Sequence, residues 1–427
     1  MFIAYKLLTI LIYPFLFLLI LLRKKVNKEH PQRYKEKILS SCYNVKRNKN
    51  SRLIWFHAAS IGEFKSILPI IEKLNYDNGK YDFLITTITL SSSQIADLEL
   101  KRFNNVEHRF FPFDVSFLIN KFLTLWKPDI IFLVDSEIWP NLILQAKNKN
   151  IPIGLINARI TEKTFKRWMI FKNSAKKLFN LFDLCLTSNL ETKKYLQSLN
   201  AKNIYFNGNI KLICRTNPNK TLKSNNQLFS NRRIWLAAST HKGEEDFCLK
   251  VHLLIKKKYE DIITVIAPRH IDRVKKIKKD CEKLNLSTQI LNNGEEIAEN
   301  KEVILVNSFG ILDFFFENLK SVFIGKSILK RLEKVGGQSP IDAAKFGCKI
   351  YHGPYVYNFR EIYDLLEKNK ISKQIFNHNE LSESLMLDLE KPNKSQNKTL
   401  NLINDLGQKT LDDTMKYIDK FLFENAK

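Results

Sequence analysis

From Arg52 to about Phe206, short apolar runs alternate with longer stretches in which apolar positions recur at helical spacing. The runs Leu53–His57, Phe83–Thr87, Arg109–Phe113, Ile130–Val134, Ile153–Ile156, Leu184–Thr187 and Ile204–Phe206 predict buried strands. Brief, nearly continuous apolar runs suit strands that are covered on both faces. Ser92–Phe103, Ile138–Lys149 and Leu190–Leu199 read as helices between them, as does the stretch after Gly62, with apolar residues at Phe64, Ile67, Leu68, Ile71 and Leu74. The pattern then restarts, with strand runs Ile234–Ala238, Ile262–Ala267, Val303–Val306, Val322–Ile324 and Lys349–Tyr351 and helix runs Glu244–Lys257, Arg273–Leu284 and Glu361–Glu367. Leu400–Phe423 reads as one long terminal helix. Alternation of this kind predicts an α/β chain with mainly parallel sheets covered on both faces.

Two stretches divide the chain. Leu7–Leu22 is an uncharged, mainly apolar run of 16 residues, extended by Phe2–Ala4 around Lys6, and Arg23, Lys24, Lys25 and Lys28 follow it. A spanning helix needs about 20 apolar residues, so this run reads as a single-pass anchor or one lying in the membrane interface. The basic flank places the remainder of the chain on the cytoplasmic side. Residues 213–230 are polar and read as a linker. The expected domains are therefore an anchor at 1–22, a first domain at 23–212, a second at 231–395 and a C-terminal helix at 396–427.

Composition adds a net charge of +25 over 427 residues, against a hydrophobic fraction of 44%. Such a charge favours an anionic partner, although much of it is Lys on helix faces such as Lys275, Lys276, Lys278 and Lys279. The six cysteines show no C-x-x-C spacing, which suits a reducing compartment without structural zinc. A G-x-G-x-x-G fingerprint is absent, which weighs against a dinucleotide enzyme.

The polar clusters fall at the C-terminal ends of predicted strands, where open α/β sheets bind ligands. In the first half they are Ser60-Ile-Gly62-Glu63, Asp135-Ser-Glu137-Ile-Trp139-Pro140-Asn141, Asn157-Ala-Arg159 and Gly208-Asn209-Ile-Lys211. In the second half they are Ser239-Thr240-His241-Lys-Gly243-Glu244-Glu245, Pro268-Arg269-His270, Ser308-Phe309-Gly310-Ile311-Leu312, Gly336-Gly337-Gln338-Ser339-Pro340-Ile341-Asp342 and Gly353-Pro354. Each also has a plainer reading. Ser60-x-x-Glu63 is a capping box, while a carboxylate at that mouth is equally a general base. Asp135 and Glu137 fit helix N-terminal acids, Thr240 with Glu244 an N-cap region, Arg269 and His270 a surface loop, and Gly336-Gly337 a turn. His57 and His252 lie within apolar patterns and read as core.

In this order, the clusters resemble the 3-deoxy-manno-octulosonic acid (Kdo) transferases of lipopolysaccharide synthesis. The resemblance runs from the anchor to Gly353-Pro354-Tyr-Val-Tyr-Asn358-Phe359 and is carried by H-A-x-S-x-G-E at His57–Glu63, S-E-I-W-P-N at Ser136–Asn141, N-A-R at Asn157–Arg159, G-N-I-K at Gly208–Lys211, S-T-H-x-G-E-E at Ser239–Glu245 and P-R-H at Pro268–His270. It implies a GT-B fold, with two Rossmann-like domains facing a central cleft. It also implies inverting transfer of Kdo from CMP-Kdo to lipid A or its tetraacyl precursor (lipid IVA), an anionic lipid that suits the anchor and the basic surface. Glu63 would be the proton acceptor, with Glu137 and Lys211 stabilising the transition state. Pro268, Arg269, Phe309, Gly310, Ile311, Leu312, Ser339, Pro340, Ile341 and Asp342 would hold the cytidine nucleotide. Ser60, Gly62, Arg159, Ser239, Thr240, His241, Glu244, His270 and Asn358 are further cleft candidates, and no metal or cofactor is implied. The nucleotide half departs from the family, with Gly310-Ile311-Leu312 for G-E-L, Gly325-Lys326-Ser327 for G-G-S and Ser339-Pro340-Ile341-Asp342 for N-P-L-E.

Three other readings compete. Another membrane-associated GT-B enzyme would take a different nucleotide sugar, and an inactive homologue would act as a scaffold. A nucleic-acid-binding protein would need basic and aromatic residues interleaved on one surface. The sequence lacks that interleaving, and the acidic clusters at Glu63 and Glu137 would have no role.

Overall fold

The computed structural model describes residues 2–45, 47, 51–76, 80–213, 232–308, 310–390 and 397–426, apart from the side chains of residues 397 and 398. The chain divides into two compact units, Met1–Cys214 with Leu406–Lys427, and Arg215–Asp405. The expected linker at 213–230 lies outside the described residues, except for Ile213.

The first unit opens with the helix α1 (Phe2–Lys25) and continues β1 (Arg52–His57), α2 (Ile61–Asn75), β2 (Tyr81–Thr87), α3 (Leu90–Glu99), β3 (Val106–Phe110), α4 (Ser116–Trp126), β4 (Ile130–Val134), α5 (Pro140–Asn148), β5 (Ile153–Ala158), α6 (Glu162–Ile170), α7 (Lys172–Phe179), β6 (Leu184–Thr187), α8 (Leu190–Ser198) and β7 (Ile204–Phe206). Its strands pair in parallel in the order β3-β2-β1-β4-β5-β6-β7. Period-2 alternation sends Leu53 and Trp55 into one core and Ile54 and Phe56 into the other, on opposite faces of the sheet. The order reverses direction between β1 and β4, and such a switch point leaves a crevice at the strands' C-terminal ends.

The second unit contains β8 (Ile234–Thr240), α9 (Glu244–Lys256), β9 (Ile263–Pro268), α10 (Val274–Lys283), β10 (Thr288–Leu291), β11 (Val303–Val306), α11 (Leu312–Asn318), β12 (Ser321–Ile324), α12 (Ile341–Lys345), β13 (Lys349–His352), α13 (Arg360–Lys368), β14 (Ser372–Gln374), α14 (His378–Leu389) and the start of α15 (Asn397–Glu424). The sheet order is β10-β11-β9-β8-β12-β13-β14, again parallel, with its switch point between β8 and β12.

Several expectations need adjusting. The third strand occupies Val106–Phe110 rather than Arg109–Phe113. Phe111 makes the last ladder bond, its N–H to Thr87 O at 2.9 Å, and the next donor on that side, the Phe113 N–H, turns instead to Lys37 O at 2.9 Å. The edge strands β10 and β14 carry polar residues and give no apolar run. The terminal helix is not a separate appendage, because Leu406–Lys427 belongs to the first unit. There Leu411, Met415, Ile418, Phe421 and Leu422 enter the core, and Tyr417 stacks on Tyr205 with ring centroids 4.3 Å apart.

The helix α1 is long and apolar enough to cross a membrane, with a mean hydropathy of 2.3. One of its faces is bonded to the first unit along its length. Tyr5 Oη–H donates to Asp114 Oδ2 at 3.0 Å, Asn141 Nδ2–H to Thr9 Oγ1 at 3.1 Å and Tyr13 Oη–H to Ile38 O at 2.6 Å. Ile20 is buried with Tyr34 and Ile38, and Arg23 pairs with Glu29 at 2.7 Å. The opposite face leaves Ile3, Leu7, Leu11, Phe15, Leu18 and Leu22 more than half exposed.

Candidate active site

In the first unit, the expected residues meet at the switch point. The backbone leaves β1 at His57, and Ser60 adopts the extended conformation of an N-cap. Ser60 Oγ accepts the Glu63 N–H at 3.4 Å and donates its own proton to Glu63 Oε1 at 2.7 Å, while Glu63 Oε2 accepts the Ala59 N–H at 2.8 Å. The Ser60 half of the capping box is therefore formed, while the Glu63 carboxylate reaches the N–H of Ala59, one residue before the cap, and the Ser60 hydroxyl. Each carboxylate oxygen has spent only one acceptor direction of about two, so capping leaves the group able to accept a further proton. Glu63 is 9% exposed. Burial raises its pKa above the usual carboxylate value, and the Asp135 and Glu137 charges add to this against the Ser60 hydrogen bond and Lys211.

Across the switch point, β4 ends at Val134, and Asp135 takes a left-handed conformation with φ 64°, a region Asp tolerates better than most residues. Its N–H still bonds to Ile156 O at 2.9 Å, and its Oδ2 pairs with Lys211 Nζ at 2.6 Å. Lys211 is delivered by a short turn after β7. Asn157 Oδ1 accepts the Ile210 N–H at 3.0 Å and Asn209 Oδ1 the Lys211 N–H at 3.0 Å. The Lys211 stem passes Gly62, where a Cβ would lie 4.0 Å from Cε. Glu137 sits in the β4–α5 loop, and its Oε2 accepts the Trp139 indole N–H at 2.7 Å and faces His57 Nε2 at 3.3 Å. Ser136 Oγ–H donates to Arg159 O at 2.6 Å, tying the loops after β4 and β5. Asp135 and Glu191 are the acidic groups facing the Arg159 guanidinium. Ser60, Gly62, Glu63, Glu137, Arg159 and Lys211 are thus brought to one edge.

Two neighbours of this site were named in the sequence without a role in it. Asp135 stood in its polar cluster as a helix N-terminal acid, at the end of a fully buried strand where the chain must turn. His57 was read as core, and it is fully buried, yet it reaches Glu137.

In the second unit, the clusters also line the C-terminal edge, but several side chains are already committed. Glu244, fully buried, accepts the N–H groups of His241, Lys326, Ser327 and Ile328 at 2.9, 2.6, 2.8 and 3.2 Å. It staples the β8 and β12 loops across the switch point. Thr240 Oγ1–H donates to Glu245 at 3.0 Å, and Glu245 takes both arms of Arg273 at 2.7 and 2.8 Å. His241 Nδ1 lies 3.1 Å from Ser239 O, and the His241 and His270 rings are 5.8 Å apart. Pro268 ends β9, and Arg269 bonds through its N–H to Thr240 O at 3.0 Å. The Arg269 side chain is exposed and has no partner among the described residues. Gly310 turns with φ 83° and open space around it, and Phe309 lies outside the described residues. Leu312 starts α11. Ile311 and Ile341 are 2% and 1% exposed and belong to the core, so their backbone is what they can offer a ligand. Ser339 Oγ accepts the Ile341 N–H at 3.4 Å, Pro340 is buried, and Asp342 is exposed in the first turn of α12. Asn358 clamps the preceding loop, donating to Gly336 O at 3.0 Å and to Val335 O at 2.8 Å. A Cβ at Gly336 would lie 2.0 Å from Tyr355 O, so only glycine fits that loop. No cluster of three or more His, Cys, Asp or Glu that could hold a metal occurs among the described residues.

Comparison with known proteins gives the family. The family described as 3-Deoxy-D-manno-octulosonic-acid transferase (kdotransferase) matches residues 32–214. A 3-deoxy-D-manno-octulosonic acid transferase of Rickettsia conorii is 31% identical over 379 residues, covering 87% of this chain and 80% of that one. The chain belongs to the Kdo transferase family. A Kdo transferase of Rickettsia bellii is similar over almost the entire length, at 29% identity over 98% of this chain and 99% of that one. Among solved structures, a candidate UDP-N-acetylglucosamine 2-epimerase of Listeria monocytogenes superposes with a TM-score of 0.61 at 14% identity, covering 88% of this chain and 98% of that one. That likeness, with the two parallel seven-stranded sheets, gives the GT-B fold. As a member of the Kdo transferase family, the chain is a glycosyltransferase of lipopolysaccharide synthesis.

Proposed function

We propose that the chain transfers Kdo from CMP-Kdo to lipid A or its tetraacyl precursor, with inversion at the anomeric carbon. The observation that carries this is Glu63. It is a buried carboxylate with a raised pKa, held at a switch-point crevice beside Glu137 and Lys211. Glu63 takes the proton of the acceptor hydroxyl as its oxygen bonds to the anomeric carbon. The bond from that carbon to the phosphate oxygen breaks, and CMP departs with the electron pair. A carboxylate pushed upward is the stronger base and suits this step near neutral pH. Glu137 supports the positive charge that develops on the sugar, while Lys211, steadied by Asp135, is a cation for the donor's negative groups, the departing phosphate and the sugar carboxylate. In the second unit, the exposed Arg269 guanidinium suits the phosphodiester, the turn at Gly310 offers backbone N–H groups, and Asp342 can accept from a ribose hydroxyl. Backbone contacts keep this site usable despite Ile311 and Ser339.

The acceptor is a lipid, and α1 supplies the membrane attachment. Its inner face is bonded to the first unit from Tyr5 to Arg23, its outer face is apolar, and its last turn carries Arg23, Lys24 and Lys25. That arrangement favours a helix lying in the interface of the inner membrane, with the catalytic units on the cytoplasmic side. Incubating purified protein with CMP-Kdo and lipid IVA should release CMP and add Kdo to the lipid. Turnover with a UDP-sugar, or none with CMP-Kdo, would overturn the proposal.

A further inference from the structure

The structure assigns Thr86 and His57 as positioning residues that fix which proton the imidazole offers to Glu137. This rests on the reading of Glu137 as a support for the transition state. Alternation along β1 puts Trp55 and His57 on one face, and Thr86 of β2 pairs with His57 in register. All three are fully buried. Trp55 Nε1 lies 2.9 Å from Thr86 Oγ1, Thr86 Oγ1 lies 2.9 Å from His57 Nδ1, and His57 Nε2 lies 3.3 Å from Glu137 Oε2.

The polarity of this chain of hydrogen bonds has one consistent solution. An indole N–H can only donate, so Thr86 Oγ1 accepts from Trp55. The hydroxyl has one proton to give, and its remaining partner is His57 Nδ1, which must then be the bare nitrogen. The imidazole proton sits on Nε2 and is donated to Glu137. The opposite tautomer fails at both ends. It would leave the Thr86 proton without an acceptor in a buried place, and it would set the Nε2 lone pair against the carboxylate. The Thr86 carbonyl, 3.2 Å from Nδ1, accepts the Ala58 N–H at 2.9 Å and keeps a second lone pair, which can take a proton from Nδ1 only when the Thr86 hydroxyl does not supply one. Stacking on Phe111, with ring centroids 4.0 Å apart, keeps the imidazole from turning over. Glu137 Oε2 thus accepts hydrogen bonds from His57 and Trp139, while Oε1 has no donor among the described residues and is the oxygen left for the substrate. Asp114, the other acid facing His57, is bonded to Tyr5 and to the N–H groups of Asn141 and Leu142.

Thr86→Val keeps the shape and removes the hydroxyl, while Thr86→Ser keeps the hydroxyl. Nitrogen-15 imidazole spectra of the full-length protein in detergent, assigned with His57→Gln, should show His57 as the Nε2–H tautomer in the wild type and in Thr86→Ser. In Thr86→Val nothing donates to Nδ1, so the Nδ1–H tautomer, donating to the second lone pair of the residue 86 carbonyl, should gain population against the Nε2–H bond to Glu137. The kcat of Thr86→Val should fall about tenfold, the worth of one orienting hydrogen bond, with KM nearly unchanged and with recovery in Thr86→Ser. His57→Gln, whose amide N–H can replace the Nε2 donor, should retain more activity than His57→Asn. An Nδ1–H tautomer in the wild type, or a Thr86→Val variant with the wild-type tautomer, would overturn the assignment. A switched tautomer with unchanged kcat would overturn the positioning role if Glu137→Gln is crippled. If Glu137→Gln is equally silent, the reading of Glu137 itself has failed.

Discussion

Glu63→Gln separates the base from the cap, because the two roles respond by different amounts. As a cap, Glu63 accepts one N–H and one O–H. Glutamine keeps one acceptor oxygen and turns an NH₂ towards the other donor, so one hydrogen bond is lost at about 1–2 kcal/mol. Part of that returns, because the substitution removes a charge that burial disfavours. The net cost of about 1 kcal/mol should lower the melting temperature by about 2–4 °C for a unit of this size. The sign of its pH dependence is set by the raised pKa. Wild-type Glu63 is most favourable to folding when protonated, and that contribution is lost as pH rises through its folded pKa. The glutamine variant should therefore compare better with the wild type at higher pH. Catalysis should respond on another scale, since loss of a general base costs about 10²–10⁴ in rate. CMP release at saturating CMP-Kdo and acceptor, measured beside thermal melts and CMP binding, reads both. Ser60→Ala is the control, because it weakens the cap by about 1 kcal/mol and leaves the carboxylate in place. Near wild-type turnover by Glu63→Gln, or an activity loss matched by Ser60→Ala, would show that the residue only caps the helix.

The same geometry leads to three other outcomes. Asp135→Asn removes a negative charge beside Glu63, so the acid limb of kcat/KM should move to lower pH and the maximal rate should fall as Lys211 loses its partner; a limb that stays or moves upward contradicts the arrangement. Saturating CMP at about 100 times its Kd should stabilise the protein by about 2.7 kcal/mol, UMP by much less, and Arg269→Ala should lose most of the CMP shift; equal shifts with CMP and UMP would place the nucleotide elsewhere. Replacing Leu11, Phe15 and Leu18 by Glu on the outer face of α1 should abolish sedimentation with anionic vesicles while leaving transfer to detergent-dispersed acceptor intact, since each buried large apolar side chain is worth about 1.5–3 kcal/mol; unchanged vesicle binding would exclude that face.

The parallel, two-unit architecture was legible because both sheets are covered on both faces, so strands such as Ile130–Val134 and Val303–Val306 are unbroken apolar runs bounded by helical spacing. The edge strands β10 and β14 failed for the complementary reason, as they are half-solvated and their composition resembles a loop. The allegiance of the terminal helix was not legible either. Its period shows that Leu411, Met415 and Ile418 share a face, but not which core that face enters. At the site, Glu63, Glu137 and Lys211 could be named from their motifs. What their neighbours do could not, because it depends on atoms brought together across β1, β2, β4 and the β7 turn. Thr240 and Glu244 looked like ligand groups and are instead bonded to Glu245 and to the β12 loop. His57 looked like packing and instead faces a candidate catalytic carboxylate.

The most direct test is the anomeric configuration of the linkage formed from CMP-Kdo, read by NMR on product isolated from the wild-type enzyme. A single displacement with Glu63 as base predicts that the configuration is inverted relative to the donor in every product molecule. Retention would require a covalent sugar intermediate on the enzyme, and Glu63 could not then be the general base of a direct attack.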